Sequence, residues 1–165
     1  MASDSRETKG EEESVSDRIQ KQVLLRAPRS RVWRALSRAE EFGTWFGARL
    51  TGEMVPGATI RGAITYPGYE HLTLEILVEQ VEPERLLSFL WHPHAVDPAV
   101  DYSPEPRTRV TFELADAAEG ILLTVTESGF DRIPEARRAL AFRMNSGGWE
   151  AQMKNIARHL AEAGA

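Results

Sequence analysis

The chain reads ILLTVTESGFDRIPEARRALAFRMNSGGWEAQMKNIARHL over residues 121–160. An alternating segment ends at Ser128, and a helical pattern follows it from Pro134 to Ala163. At about 100° per residue, five apolar side chains of this helix fall within about 40° of one line. They are Phe142, Trp149, Met153, Ile156 and Leu160. The pattern predicts one long helix that buries a single apolar stripe against a sheet.

The segments before this helix predict a series of short strands. Apolar and polar side chains alternate in most of them, and turns with Gly, Pro or acidic residues separate several of them. The predicted strands cover residues 19–26, 60–66, 71–81, 86–91, 108–114 and 121–128. Two helical segments lie between the first two strands, one over residues 29–38 and one that carries Phe42, Trp45 and Phe46. This order is typical of an antiparallel meander in an α+β fold.

The negative charge is concentrated at the N-terminus. The 165 residues carry a formal net charge of −5, and residues 1–17 hold six acidic and two basic side chains, so the remainder carries −1. We therefore predict an acidic, disordered tail over residues 1–17 and one domain over residues 18–165. Because this domain is nearly neutral, it lacks the basic field that non-specific nucleic-acid binding requires.

The composition excludes several classes of protein. The sequence has no cysteine, which rules out disulfide scaffolds, iron–sulfur clusters and thiol chemistry. No apolar run approaches the ~18 residues of a membrane span, and no hydrophobic signal core follows Met1. We expect a cytoplasmic protein with no membrane span and no cofactor.

Two adjacent glycines, Gly147 and Gly148, interrupt the helical pattern. Glycine lowers helix stability by ~1 kcal/mol relative to alanine, so the pair needs a structural reason. Three explanations stay open: close packing of the helix on a strand, empty space for a ligand or an entrance, and a hinge. Asn145 lies near the apolar line of the same helix and is a candidate for orienting a ligand in an apolar cavity.

The segment WHPHAVDPAVDYSPEPR, residues 91–107, has four prolines and no clean period. Long loops in compact domains tend to be functional or mobile. His92 and His94 have a spacing that could serve a metal ion, but Pro93 fixes the backbone and no third histidine is near in sequence. We predict solvated histidines at a pocket mouth and no metal site.

Four segments, taken in order, resemble one known family. They are residues 19–48 (IQKQVLLRAPRSRVWRALSRAEEFGTWFGA), 81–91 (VEPERLLSFLW), 122–130 (LLTVTESGF) and 147–160 (GGWEAQMKNIARHL). Over about residues 18–163 the sequence resembles the activator-of-Hsp90-ATPase homologue family of the START-like, or SRPBCC, superfamily.

The resemblance implies a helix-grip fold, in which a curved antiparallel sheet wraps around the C-terminal helix and leaves a hydrophobic cavity between them. It does not imply one activity, since members of the superfamily bind lipids, polyketides, hormones or other apolar molecules, and some are cyclases or hydratases. The chaperone activators that name the family carry a separate N-terminal domain, which a stretch of 17 residues cannot replace, so a role at Hsp90 is not the favoured expectation.

Three functions stay open. The favoured one is binding of an apolar or amphipathic small molecule in the cavity. The predicted wall of that cavity consists of Trp45, Phe46, Trp91, Phe130, Phe142, Asn145, Trp149 and Met153. The second is an enzyme for an aromatic or polyketide-like substrate, with His71 or His92 transferring protons. The third is a dimeric or chaperone-linked interaction protein that uses a stripe of Ile133, Leu140 and Met144. We assign no catalytic residue.

Overall fold

The computed structural model describes residues 17–163, and in that part of the chain one sheet holds six antiparallel strands. They are β1 (Arg18–Leu25), β2 (Thr59–Ala63), β3 (Thr73–Glu82), β4 (Leu86–Trp91), β5 (Thr108–Ala117) and β6 (Gly120–Ser128). The strands lie in the order β1-β6-β5-β4-β3-β2, so β2 to β6 form the predicted meander and β1 pairs with β6. The predicted tail lies outside the described residues, except for Asp17.

Three α-helices accompany the sheet: α1 (Arg29–Ser37), α2 (Ala39–Phe46) and α3 (Glu135–Ala163). Both α1 and α2 lie between β1 and β2 in the chain, and α3 packs on β1 and α2. The 29-residue helix α3 runs through Gly147 and Gly148 without a break. None of the helices in residues 17–163 has the length and apolar character needed to cross a membrane.

The predicted apolar stripe of α3 faces the sheet. Trp149, Met153, Ile156 and Leu160 are buried, and Phe142 is half-buried. Because these side chains follow the helical period and cover the curved sheet, the helix-grip architecture expected from the resemblance is confirmed.

The prediction of an exposed stripe formed by Ile133, Leu140 and Met144 is wrong for one of its three residues. Leu140 and Met144 are exposed as expected, but Ile133 is completely buried in the core. The reason is its place in the chain, because Ile133 follows a short 3₁₀ turn (Phe130–Arg132) and precedes the first residue of α3. The helical phase that aligned it with Leu140 and Met144 therefore does not apply to it.

Aromatic rings fill the space directly beneath the middle of α3. Phe42, Phe89 and Phe112 are fully buried, and the ring centroids of Phe112 and Trp149 lie 5.7 Å apart. Full burial of one such side chain stabilises the fold by about 1.5–3 kcal/mol. Any hollow must therefore lie beside this aromatic core and not inside it.

A cluster of charged side chains joins the three helices. Glu41 of α2 has its Oε2 atom 2.6 Å from Arg31 Nη1 of α1 and 2.7 Å from His159 Nε2 of α3. Burial by itself raises the pKa of Glu41, but the hydrogen bond from His159 and the charge of Arg31 outweigh burial and hold the pKa below its usual range. The cluster therefore stabilises the helix contacts while Glu41 is ionised.

The lowered pKa of Glu41 predicts how stability depends on pH. A carboxyl group with a lower pKa in the folded chain adds stability above its ordinary pKa, near 4.5, and loses it as the pH falls through the folded value. We expect Glu41→Gln to lower the free energy of unfolding at neutral pH by about 1–2 kcal/mol and to flatten its acid dependence. Urea unfolding at several pH values measures both effects. Glu40→Gln, at an exposed neighbour, is the control, and equal behaviour of the two variants contradicts the prediction.

Candidate functional site

A pocket of about 280 Å³ lies beside the aromatic core. Its walls come from the middle of α3, from the region around the start of β3, and from residues 91–96 at the end of β4 and beyond. Thr73, Glu75 and Val96 at its margin are exposed, so the pocket opens to solvent. The lining is mostly apolar and includes Phe46, Ile64, Tyr66, Leu72, Leu74, Trp91, Ala95, Val96, Trp149 and Gln152.

The structure brings four of the eight predicted wall residues together at this pocket. Phe46 arrives from the end of α2, Trp91 from the end of β4, and Asn145 and Trp149 from α3. The ring centroids of Phe46, Trp91 and Trp149 lie 5.7 to 6.0 Å from one another. These three rings therefore form one continuous aromatic surface.

The other four predicted wall residues do not line the pocket. Trp45 is 5% exposed, and its indole N–H donates to the carbonyl of Ala35 at 2.9 Å. Phe130 and Phe142 pack edge to face against each other at 5.2 Å, and Met153 belongs to the buried core. All four side chains pack within the protein, away from the pocket surface.

Gly148 lines the pocket, and Gly147 does not. Apart from the adjacent residues and the backbone of the helix itself, no heavy atom lies within 4 Å of the position that a Cβ would occupy at either residue. Close packing on a strand is therefore not the reason for the two glycines. At Gly148 the missing side chain leaves space that belongs to the pocket.

A buried carboxylate lies behind the pocket wall. Glu127 of β6 has no exposed surface. It accepts hydrogen bonds at 2.8 Å from the indole N–H groups of both Trp91 and Trp149. The hydroxyl of Thr108 donates to it at 2.6 Å, and the Asn145 amide nitrogen lies 3.0 and 3.1 Å from its two oxygens. Four side chains from β4, β5 and α3 thus converge on one carboxylate.

The partners of Glu127 are neutral. The two indole N–H groups and the amide NH₂ can only donate, so both oxygens serve as acceptors, and the Thr108 hydroxyl can donate or accept. Among the described residues, no lysine, arginine or histidine forms an ion pair with Glu127. Its hydrogen-bond partners are therefore dipoles, with no cation among them.

The sequence reasoning did not single out Glu127. Three other carboxylates of the strands lie at positions whose alternation faces solvent: Glu75 and Glu113 are exposed, and Glu79 is half-buried beside Arg109. A signal was nevertheless present, since residue 127 shares the inward parity of residues 121, 123 and 125 in β6. When an acidic residue continues the inward-facing apolar positions of a strand, it indicates a polar contact in the core.

Arg137, near the start of α3, fastens the loop that forms one pocket wall. Its guanidinium donates to Glu105 at 2.8 and 3.0 Å and to the carbonyl of Pro93 at 2.8 Å. It also lies 4.7 Å from the ring centre of Tyr102. Because these contacts reach both ends of residues 93–105, they hold the long loop against the helix.

The histidines occupy different environments. His92 lines the pocket, and its Nε2 lies 3.1 Å from the carbonyl oxygen of Glu105. His94 also lines it, and burial followed by the nearby charge of Arg137 lowers its pKa. His71 is exposed and does not line the pocket. Residues 17–163 contain no group of three or more metal-ligating side chains placed to hold an ion.

An antiparallel sheet that wraps around one long C-terminal helix, with a mostly apolar pocket beside that helix, defines a helix-grip protein of the START-like class. The chain belongs to the family described as "Activator of Hsp90 ATPase homolog 1-like protein", whose family model matches residues 26–161. No curated protein matches the chain in sequence.

Solved structures share this fold. Protein MLL2253 from Mesorhizobium loti is 23% identical with a TM-score of 0.69, and the match covers 88% of this chain and 97% of that one. DynU16, a protein in the dynemicin biosynthetic locus, is 28% identical with a TM-score of 0.66; the match covers 88% of this chain and 47% of DynU16. The Aha1 dimer from Colwellia psychrerythraea is 14% identical with a TM-score of 0.64, and the match covers 85% of this chain and 92% of that one.

The network around Glu127 predicts a specific loss of stability. Glu127→Gln turns an amide NH₂ towards groups that can only donate, and we expect the free energy of unfolding to fall by about 1–3 kcal/mol. Glu113→Gln, at an exposed site of β5, makes the same chemical change and should stay within about 0.5 kcal/mol of the parent. Urea unfolding followed by tryptophan fluorescence measures the difference. Equal stability of the two variants would rule out the network as a stabilising element.

The contacts of Arg137 predict a local change. We expect Arg137→Gln to speed backbone hydrogen exchange in residues 92–107 by about tenfold or more, because a charged hydrogen-bonded contact contributes about 1.5–3 kcal/mol. Exchange in the strands should stay as it is in the parent. Arg143→Gln, at an exposed position of α3, provides the control. Unchanged loop exchange in Arg137→Gln would show that other contacts hold the loop.

Proposed function

We propose that this protein binds an apolar or amphipathic small molecule in the pocket beside α3. One observation carries the proposal: Phe46, Trp91 and Trp149 line an apolar space that the side chains of the protein leave unfilled. The pocket volume of about 280 Å³ is near the lower end of typical ligand pockets, about 300–1,000 Å³. At ~30 Å³ for each water-sized group, it has room for about nine of them.

The expected affinity is moderate. A ligand that buries about 250 Å² of apolar surface gains about 6 kcal/mol at ~25 cal/mol per Å². The loss of translational and rotational freedom offsets part of this gain. We therefore expect a Kd in the micromolar to millimolar range for a simple apolar probe, and tighter binding for a ligand whose polar groups also match the site.

Several polar side chains that line the pocket are already hydrogen-bonded within the protein, and this favours binding over catalysis. Of the two histidines considered for proton transfer, only His92 lines the pocket, and its Nε2 already contacts the carbonyl of Glu105. Gln152 donates to the carbonyl of Phe46 at 2.7 Å and to the Tyr66 hydroxyl at 3.1 Å. A general acid or base needs a free proton-transfer atom directed at the substrate, and the named atoms of His92, Gln152 and Tyr66 are engaged with the protein, which leaves His94, among the described residues, as the lining histidine without such a bond.

Two further expectations remain predictions. A homodimer is consistent with the dimer of the Aha1 relative, and Leu140 and Met144 are the exposed apolar side chains that α3 offers for it. The cytoplasmic location expected from the sequence is likewise a prediction.

The two adjacent glycines supply the test. Gly148→Leu places a side chain in the pocket, whereas Gly147→Leu places one outside its lining. Both changes should stabilise the helix, by about 0.8–1 kcal/mol, because leucine is a better helix former than glycine. We expect Gly148→Leu to weaken binding of the neutral fluorescent probe N-phenyl-1-naphthylamine by about tenfold or more and Gly147→Leu to leave it within about twofold of the parent.

The outcomes separate binding from folding. Thermal unfolding of both variants checks that each remains folded, so a loss of probe binding in Gly148→Leu alone identifies this pocket as the binding site. Failure of the parent protein to bind the probe, or equal binding by the two variants, argues against the proposal.

A further inference from the structure

We propose that the ligand of this pocket carries a positive charge, as an organic ammonium joined to an apolar group does. The inference rests on the proposed function and names the chemical class of the ligand. Three observations support it: the indole, amide and phenol donors of the pocket wall are already used, the carboxylate behind that wall has no cationic partner among the described residues, and the floor of the pocket is aromatic.

The indole, amide and phenol donors of the pocket wall point into the protein. The indole N–H groups of Trp91 and Trp149 and the amide NH₂ of Asn145 all donate to Glu127. The amide NH₂ of Gln152 and the hydroxyl of Tyr66 donate to the carbonyl of Phe46. A carboxylate or phosphate ligand needs such donors, and binding one here would break bonds that satisfy buried groups. The pocket is therefore poorly suited to an anion.

The charges around the pocket favour a cation. Glu127 lies directly behind Trp91 and Trp149 and has only neutral partners among the described residues. At the mouth, Glu75 lines the pocket and forms an exposed ion pair with Arg61 at 3.4 Å. The arginine nearest the loop wall, Arg137, is paired with Glu105 at 2.8 Å. Glu127 is thus the acidic group at the pocket without a cationic partner, and a low-dielectric surrounding strengthens its attraction for a positive charge.

The aromatic floor is suited to the same ligand. The rings of Phe46, Trp91 and Trp149 lie within 6.0 Å of one another, and the negative face of an aromatic ring attracts ammonium groups, tryptophan most strongly. Hydrogen bonds polarise one another in a network, so a carboxylate that accepts the two indole N–H bonds makes the rings richer in electrons. An apolar cation can therefore gain both burial and electrostatic attraction.

A matched series of eight-carbon ligands tests the inference. Octyltrimethylammonium, octan-1-ol and octanoate share one alkyl chain and differ in charge. Each is used below its micelle concentration, at neutral pH and low salt, to displace N-phenyl-1-naphthylamine from the parent protein. We expect octyltrimethylammonium to bind at least about tenfold more tightly than octanoate, a preference that added salt reduces.

The outcomes distinguish the inference from the function on which it rests. Displacement by octan-1-ol, together with octanoate that binds as tightly as the cation or more tightly, overturns the charge preference and leaves the proposed function standing. Failure of all three compounds and of the probe itself to bind overturns both.

Two variants locate the source of the preference. Glu127→Gln removes the buried charge and keeps the side-chain size, and Glu75→Gln removes the charge at the mouth without contacting the buried network. We expect the ratio of cation to octan-1-ol affinity to fall by about fivefold in Glu127→Gln and by about twofold in Glu75→Gln. The second variant keeps the test decisive if the first does not fold, and an unchanged ratio in every folded variant contradicts the electrostatic explanation.

Discussion

A carboxylate that has no contact with water must have acceptor sites filled on both oxygens, and Glu127 imposes this constraint on the pocket. It is met by side chains from β4, β5 and α3, which are Trp91, Thr108, Asn145 and Trp149. Because an unsatisfied buried charge costs several kcal/mol, these donors cannot turn away independently. The orientation of the two indole rings, and hence the aromatic surface of the pocket, follows from one acidic residue.

Different kinds of interaction hold the two sides of the pocket in place. On the sheet side, neutral donors surround a fully buried charge, and this arrangement resists change because every member is satisfied. On the loop side, Arg137 and Glu105 form an ion pair in which both side chains are about one-fifth exposed, and such contacts are weaker and more sensitive to salt. A ligand would therefore meet one rigid wall and one that can yield, namely the loop that contains His94, whose backbone has a positive φ of 51°.

Sequence patterns predicted the elements of the fold but only part of the site. Alternation located most of the six strands, and the 100° phase of α3 identified its buried stripe, because both depend on local periodicity. The helical phase places Trp149 and Met153 on the same face, so it could not predict that Trp149 borders the pocket whereas Met153 is buried in the core. That distinction depends on which neighbours fill the space, a tertiary property. Glu127 was missed because a polar residue at the end of a strand normally faces solvent, and its four partners are distant in sequence.

Gly148 lowers the stability of helix α3 and leaves space open in the pocket. A glycine inside a helix costs about 1 kcal/mol relative to alanine, and nothing packs where its side chain would be. Gly147 has the same open surroundings but lies outside the pocket lining, so the helix itself does not need a glycine at either position. Gly148 lowers the stability of the helix without improving its packing. The simplest explanation is the volume that it leaves open in the pocket, one helical turn from Asn145 and next to Trp149. The hollow therefore depends on an absent side chain as much as on the aromatic rings that line it.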